Sequence, residues 1–90
     1  MARRSLRRDG MHYVYLLKSL AVPGQRYVGI TTDLDARLAA HNQRRSTHTA
    51  KFAPWEAQTY VAFRDPKRAH AFERYLKSAS GFAFANKRLW

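Results

Sequence analysis

The sequence contains no cysteine, which excludes a disulfide framework and any metal site built on thiolates. Acids are nearly as scarce, with 6 Asp plus Glu against 17 Lys plus Arg, a formal net charge of +11 at neutral pH in 90 residues. With 4 Gly and 3 Pro the chain has neither a collagen-like nor a low-complexity composition. No stretch approaches the roughly 20 apolar residues that span a bilayer, and the Arg-rich start is not followed by the apolar run of a secretory signal. A soluble, cytoplasmic protein is therefore expected. What is present is apolar material for a compact core, 46% hydrophobic and 13% aromatic, which argues against a disordered polycation. A sequence pI near 11.0 favours polyanions through counterion release, with nucleic acid ahead of an anionic membrane.

Residues 1–10 carry Arg3, Arg4, Arg7 and Arg8 against Asp9 and read as a flexible basic arm. Without it 13 basic and 5 acidic residues remain, so the basic character extends into the domain expected at 11–90. Tyr13-Val14-Tyr15-Leu16-Leu17 and Arg26-Tyr27-Val28-Gly29-Ile30, joined through Pro23-Gly24, predict a two-stranded hairpin. Thr32, with Asp35 three residues on, predicts the capped start of a helix ending near Gln43. Residues 44–54 read as a loop carrying Arg44, Arg45 and Lys51, and Glu56–Phe63 as a third strand. Asp65-Pro66 opens a second helix, with Ala69, Phe72, Leu76 and Ala79 as its core stripe and Gly81 as its stop. Phe82–Trp90 is expected to add a short helix that closes the core through Phe84, Leu89 and Trp90. The class expected is α/β (α+β), a small three-stranded antiparallel sheet flanked by helices.

The pattern breaks at two places. Leu34, Arg37, Leu38 and His41 occupy the spacing of a core-facing stripe, yet two of the four are polar, so Arg37 and His41 project one turn apart from the edge of that face. A guanidinium and an imidazole beside Tyr-rich strands fit an anion site; a snorkelling arginine and a satisfied edge histidine fit the same spacing. The second break is Glu73, the one acid between Pro66 and Trp90, set at the border of the second helix's core stripe. It suits a Mg²⁺ site on a phosphodiester, because Mg²⁺ keeps several waters and takes few protein ligands. It also suits an ordinary i, i+4 pair with Lys77. Tyr13, Tyr15 and Tyr27 are core tyrosines on one account and, on the other, phenols that hold a nucleophilic water or a phosphate oxygen.

Taken in order, Tyr13-Val14-Tyr15, Tyr27-Val28-Gly29, Asp33-Leu34, Arg37-Leu38, His41-Asn42, Thr49, Pro54-Trp55 and the helix bearing Glu73 with Leu76-Lys77 resemble the GIY-YIG nuclease domain. The likeness is to its small stand-alone bacterial members, which are similar to the N-terminal nuclease domain of the excision-repair subunit UvrC. Tyr13 stands where the family name has Gly, as in those small members. The resemblance covers residues 11 to about 90 and implies a divalent-metal-dependent endonuclease acting on DNA phosphodiesters, with a role in repair or recombination. It also implies that Tyr15 and Tyr27 close the first motif and open the second, that Arg37 is the catalytic arginine and His41 the histidine following it, and that Glu73 holds Mg²⁺ or Mn²⁺. Asn86 stands near the place of a C-terminal Asn found in many active members, where related small proteins often carry Lys. The spacing leaves open whether Tyr15, Tyr27 or His41 takes the proton of the attacking water. Arg44, Arg45, Lys51, Lys87 and Arg88 are expected to hold the DNA backbone, together with the arm. A DNA-binding module with a nuclease-like fold and no turnover is the alternative. RNA binding is disfavoured by the missing RRM stacking motif, and membrane-surface binding by helices that lack a broad apolar face opposite an all-basic one.

Overall fold

The computed structural model describes residues 10–90, so the expected arm at 1–10 lies, but for Gly10, outside the described residues. Three antiparallel strands form one sheet in the order β2-β1-β3, with β1 at His12–Ser19, β2 at Arg26–Thr31 and β3 at Trp55–Phe63. Between β2 and β3 run helix α1, Leu34–Asn42, and a short 3-10 turn, Ala50–Phe52; α2, Pro66–Leu76, and α3, Ala79–Arg88, complete the chain. This is the α+β arrangement that the strand and helix signals predict.

The central position of β1 explains its composition. Tyr13, Val14, Tyr15, Leu16 and Leu17 are all buried, because side chains alternate between two faces that are both covered. Tyr13, Tyr15 and Leu17 pack with Leu34, Leu38 and Trp55 on the α1 side. Val14 and Leu16 pack with Ala69, Leu76 and Ala85 on the α2–α3 side. Burying Leu16 or Leu17 in this way stabilises the fold by about 1.5–3 kcal/mol each. The register with β3 steps between Leu16 and Leu17, which pair with Thr59 and Ala57, so Gln58 is the extra residue of a bulge.

Two helix boundaries differ from the sequence expectation, each for a local reason. Asp33, not Thr32, caps α1: its carboxylate accepts from the Ala36 amide at 3.1 Å, while the Thr31 hydroxyl accepts from the Asp33 amide. Gly81 does not end α2. That helix stops at Leu76, and Ser78 caps α3 by accepting from the Gly81 amide at 3.2 Å while donating to the Tyr75 carbonyl at 2.6 Å. Gly81 lies inside α3 where the two helices cross, and a Cβ there would meet the Tyr75 carbonyl oxygen at 1.7 Å. Its role is close packing. Ala79 accordingly belongs to α3, and Phe84 is 38% exposed rather than closing the core, a task left to Leu89 and Trp90.

Candidate active site

The hairpin and α1 meet at the Tyr15 hydroxyl. β1 buries the Tyr15 ring, and β2 places Gly29 directly opposite it. A Cβ on Gly29 would stand 2.4 Å from that hydroxyl and 2.9 Å from the Tyr27 ring, so the absence of a side chain lets the two tyrosines converge, with ring centroids 6.2 Å apart. From α1, Arg37 donates Nε–H to the Tyr15 oxygen at 3.1 Å. One turn on, the fully buried His41 sets Nε2 3.0 Å from the same oxygen and packs edge-on against Tyr27 at 5.0 Å. Arg37 and His41 thus do share one edge, and His41 is both satisfied and part of a polar cluster.

The chain of bonds continues below the histidine. His41 Nδ1 and Thr49 Oγ1 lie 2.8 Å apart. In the tautomer that uses the Tyr15 proton internally, Tyr15 donates to Nε2 and Nδ1–H donates to Thr49. Thr49 is 1% exposed although it sits in a connecting segment, and its carbonyl accepts the Trp55 indole N–H at 2.9 Å. Asn42 binds both the amide and the carbonyl of Trp55, fastening the end of α1 to the start of β3. In the sequence Gly29 and Thr49 stand as motif letters without a role of their own. For Thr49 the signal is missing, because burial of a threonine in a polar loop is set by residues distant in the chain.

Electrostatics follow from this packing. Burial raises the Tyr15 pKa above its ordinary value of 10.0; Arg37 opposes the shift through its hydrogen bond and charge, while Tyr27 and then Glu73 add to it. Burial and then the Arg37 charge push His41 below its ordinary 6.5. The Arg37 value is raised, chiefly by its bond to Tyr15. At neutral pH the free site therefore holds a guanidinium, a protonated phenol and a neutral imidazole.

The family model for the GIY-YIG catalytic domain matches residues 11–88. The chain belongs to the GIY-YIG family. No curated protein matches the chain. Among solved structures, it is similar to the UPF0213 protein BH0048 from Bacillus halodurans, determined by solution NMR, with 28% identity over 86% of this chain and 83% of that one and a TM-score of 0.53. GIY-YIG is a nuclease family, and the strands and helices here share the fold of that small relative.

Within this GIY-YIG domain the remaining expected residues are spread over both sides of the sheet. Glu73 projects from α2, its side chain 16% exposed, and pairs with Lys77 at 2.5 Å. The i, i+4 account is therefore realised, and the same carboxylate is still felt at Tyr15. Asn86 on α3 accepts from an Arg26 guanidinium nitrogen at 2.6 Å, and that guanidinium also lies over the Trp90 ring at 4.7 Å. Arg44, Arg45 and Lys51 follow α1, whereas Lys87 and Arg88 end α3 on the opposite side. Arg44 has a left-handed backbone, φ 61°, and donates Nε–H to the Ala50 carbonyl at 3.2 Å; Lys51 lies over the Phe52 ring. No helix among the described residues is long and apolar enough to cross a membrane.

Proposed function

We propose that this protein is a divalent-metal-dependent endonuclease that hydrolyses DNA phosphodiester bonds. The observation that carries the reading is the bonded chain Arg37–Tyr15–His41–Thr49, which sets a guanidinium, a phenol and a neutral imidazole around one oxygen. Arg37 uses Nε on Tyr15 and also bonds the Tyr27 side chain, and the N–H groups left over can meet a phosphate, whose charge they neutralise as the pentacoordinate transition state develops. Water attacks phosphorus while the bond to the 3′ oxygen breaks, and that oxygen takes a proton from solvent to leave as a hydroxyl. The proton of the attacking water passes to the Tyr15 oxygen as the Tyr15 proton moves to His41 Nε2. The depressed proton affinity of His41 keeps Nε2 available as acceptor at neutral pH, and Arg37 stabilises negative charge on the phenol during the transfer.

No group of three or more His, Cys, Asp or Glu is gathered among the described residues, so a protein cage for a cation is not built. The donor set fits Mg²⁺ or Mn²⁺ in the sparse mode, with one half-buried carboxylate, Glu73, completed by waters and substrate oxygens. Bound there, the ion would supply charge neutralisation to the phosphodiester.

The test is nicking of a supercoiled plasmid with Mg²⁺ or Mn²⁺. Arg37→Ala and Glu73→Gln are each expected to lower the rate at least about 100-fold, and Tyr15→Phe likewise, with far-UV circular dichroism unchanged. Full activity in Arg37→Ala or Glu73→Gln overturns the assignment. Retardation of DNA without cleavage at any metal concentration would instead establish the non-catalytic binding module.

A further inference from the structure

Arg37 and His41 have a second neighbourhood that the reaction above does not use. With Ala40, Arg45, Ser46 and Thr47 they line an open pocket of about 280 Å³. No carboxylate lines it, and with His41 neutral its charge comes from two guanidinium groups. The pocket owes its shape to the end of α1. The Arg44 amide turns back to the His41 carbonyl at 3.1 Å and the Arg45 amide to the Ala40 carbonyl at 3.0 Å, which fixes Arg45 at the pocket's rim. The Ser46 carbonyl then accepts from the amides of Thr49 at 3.2 Å and Ala50 at 2.9 Å. That turn places Ser46 and Thr47 in the pocket lining and carries Thr49 to the buried His41 ring. Arg44 and Arg45 are adjacent in sequence yet separated by this geometry: Arg44 ties the loop to Ala50, and Arg45 faces the pocket.

We infer that this pocket is a second phosphate subsite, which takes the DNA phosphodiester next to the one presented to Arg37 and Tyr15. The inference rests on the nuclease reading for the identity of the neighbouring site. Two hydroxyls and a guanidinium are the donor set that phosphate oxygens accept from in protein–DNA contacts. Arg37 stands in the wall of the pocket and against the Tyr15 hydroxyl at once, so the two anion positions adjoin. Consecutive phosphates on one strand, separated by a sugar, are a polyanion suited to occupying both. The volume exceeds that of one phosphate group and leaves room for part of that sugar. Contacts of this type set register and affinity and carry no base information.

The test is binding of a short DNA duplex to the full chain across a salt series, beside duplexes carrying one neutral methylphosphonate linkage walked along a strand. Arg45→Ala is expected to weaken binding about 10-fold on all sequences and to flatten the dependence of log Kd on log salt by about one contact. Arg45→Lys should restore most of the slope. Wild-type binding should suffer at two adjacent linkages, and Arg45→Ala should become indifferent to one of them. Thr47→Val, which removes one hydroxyl at the rim, should weaken binding a few-fold and only when that linkage is charged, which keeps the test decisive if Arg45→Ala does not fold. An unchanged Kd and slope in Arg45→Ala, or a penalty identical at every linkage, overturns the subsite. None of these arms requires cleavage: paired linkage sensitivity in a protein that never cuts removes the nuclease reading and keeps the subsite, whereas cutting without it does the reverse.

Discussion

On the proposed mechanism His41 joins stability to chemistry. It is fully buried between Tyr15 and Thr49, and burial together with the nearby Arg37 charge depresses its pKa below 6.5. A group whose folded pKa is lowered binds fewer protons in the native state than in the unfolded one, so stability is highest above the unfolded value and falls with acidification. The loss begins as pH drops through about 6.5 and levels off below the folded value, a window that starts above the ordinary carboxylate range. Urea midpoints measured between pH 7.5 and 5 should therefore decline for the wild type and stay flatter for His41→Gln; parallel curves would show that His41 is not the group responsible. The same proton would block transfer from Tyr15, so nicking should weaken over the same acid limb. None of this follows from spacing. The i, i+4 relation of Arg37 and His41 was readable, but that one reaches the Tyr15 oxygen while the other is enclosed beneath it depends on Gly29, Thr49 and Trp55, which come from three other segments.

Elements were legible where a cap or period announced them. Asp65 with Pro66 opens α2 as the sequence predicts, because a cap acts through amides two or three residues away. At the α2–α3 junction the sequence is ambiguous, because a glycine within a helical pattern has the same appearance as a stop or as a crossing point. Gly81 is the latter. An alanine there would drive Cβ to within 1.7 Å of the Tyr75 carbonyl, backbone that cannot step aside without separating the helices. Gly81→Ala should thus destabilise the protein by about 2 kcal/mol or more, although helix propensity alone favours alanine by about 1 kcal/mol. A chemical denaturation series decides between the two signs. At the α1 start, Thr32 and Asp33 are both good caps, and the structure selects Asp33 because its carboxylate reaches the Ala36 amide while the Thr31 hydroxyl holds the preceding turn.

For the whole molecule, the net charge of +11 divides into cations with different partners. Arg37 is bound to Tyr15, Arg26 to Asn86 and Trp90, Arg44 to Ala50, and Arg45 lines the pocket. The four arginines in residues 1–9 add to this total, and their removal should reduce affinity and flatten the salt dependence by up to about 0.9 per lost phosphate contact. Cleavage at saturating DNA should persist in the same truncated protein; its loss would show that the arm takes part in the reaction. Composition, charge sign, the class of fold, and the residue types of the site could be read along the chain, because each depends on local pattern or on a sum. The family likeness could be read as well, since its motifs keep their order and spacing. What the tertiary structure decided is adjacency: that Gly29 makes room for a hydroxyl, that Thr49 supports a histidine, that Arg44 and Arg45 face different ways, and that Glu73 is felt at Tyr15 while paired with Lys77. Those facts arise when a sheet and three helices close on one another. The free energy of burying Tyr15, His41 and Thr49 together belongs to no single segment.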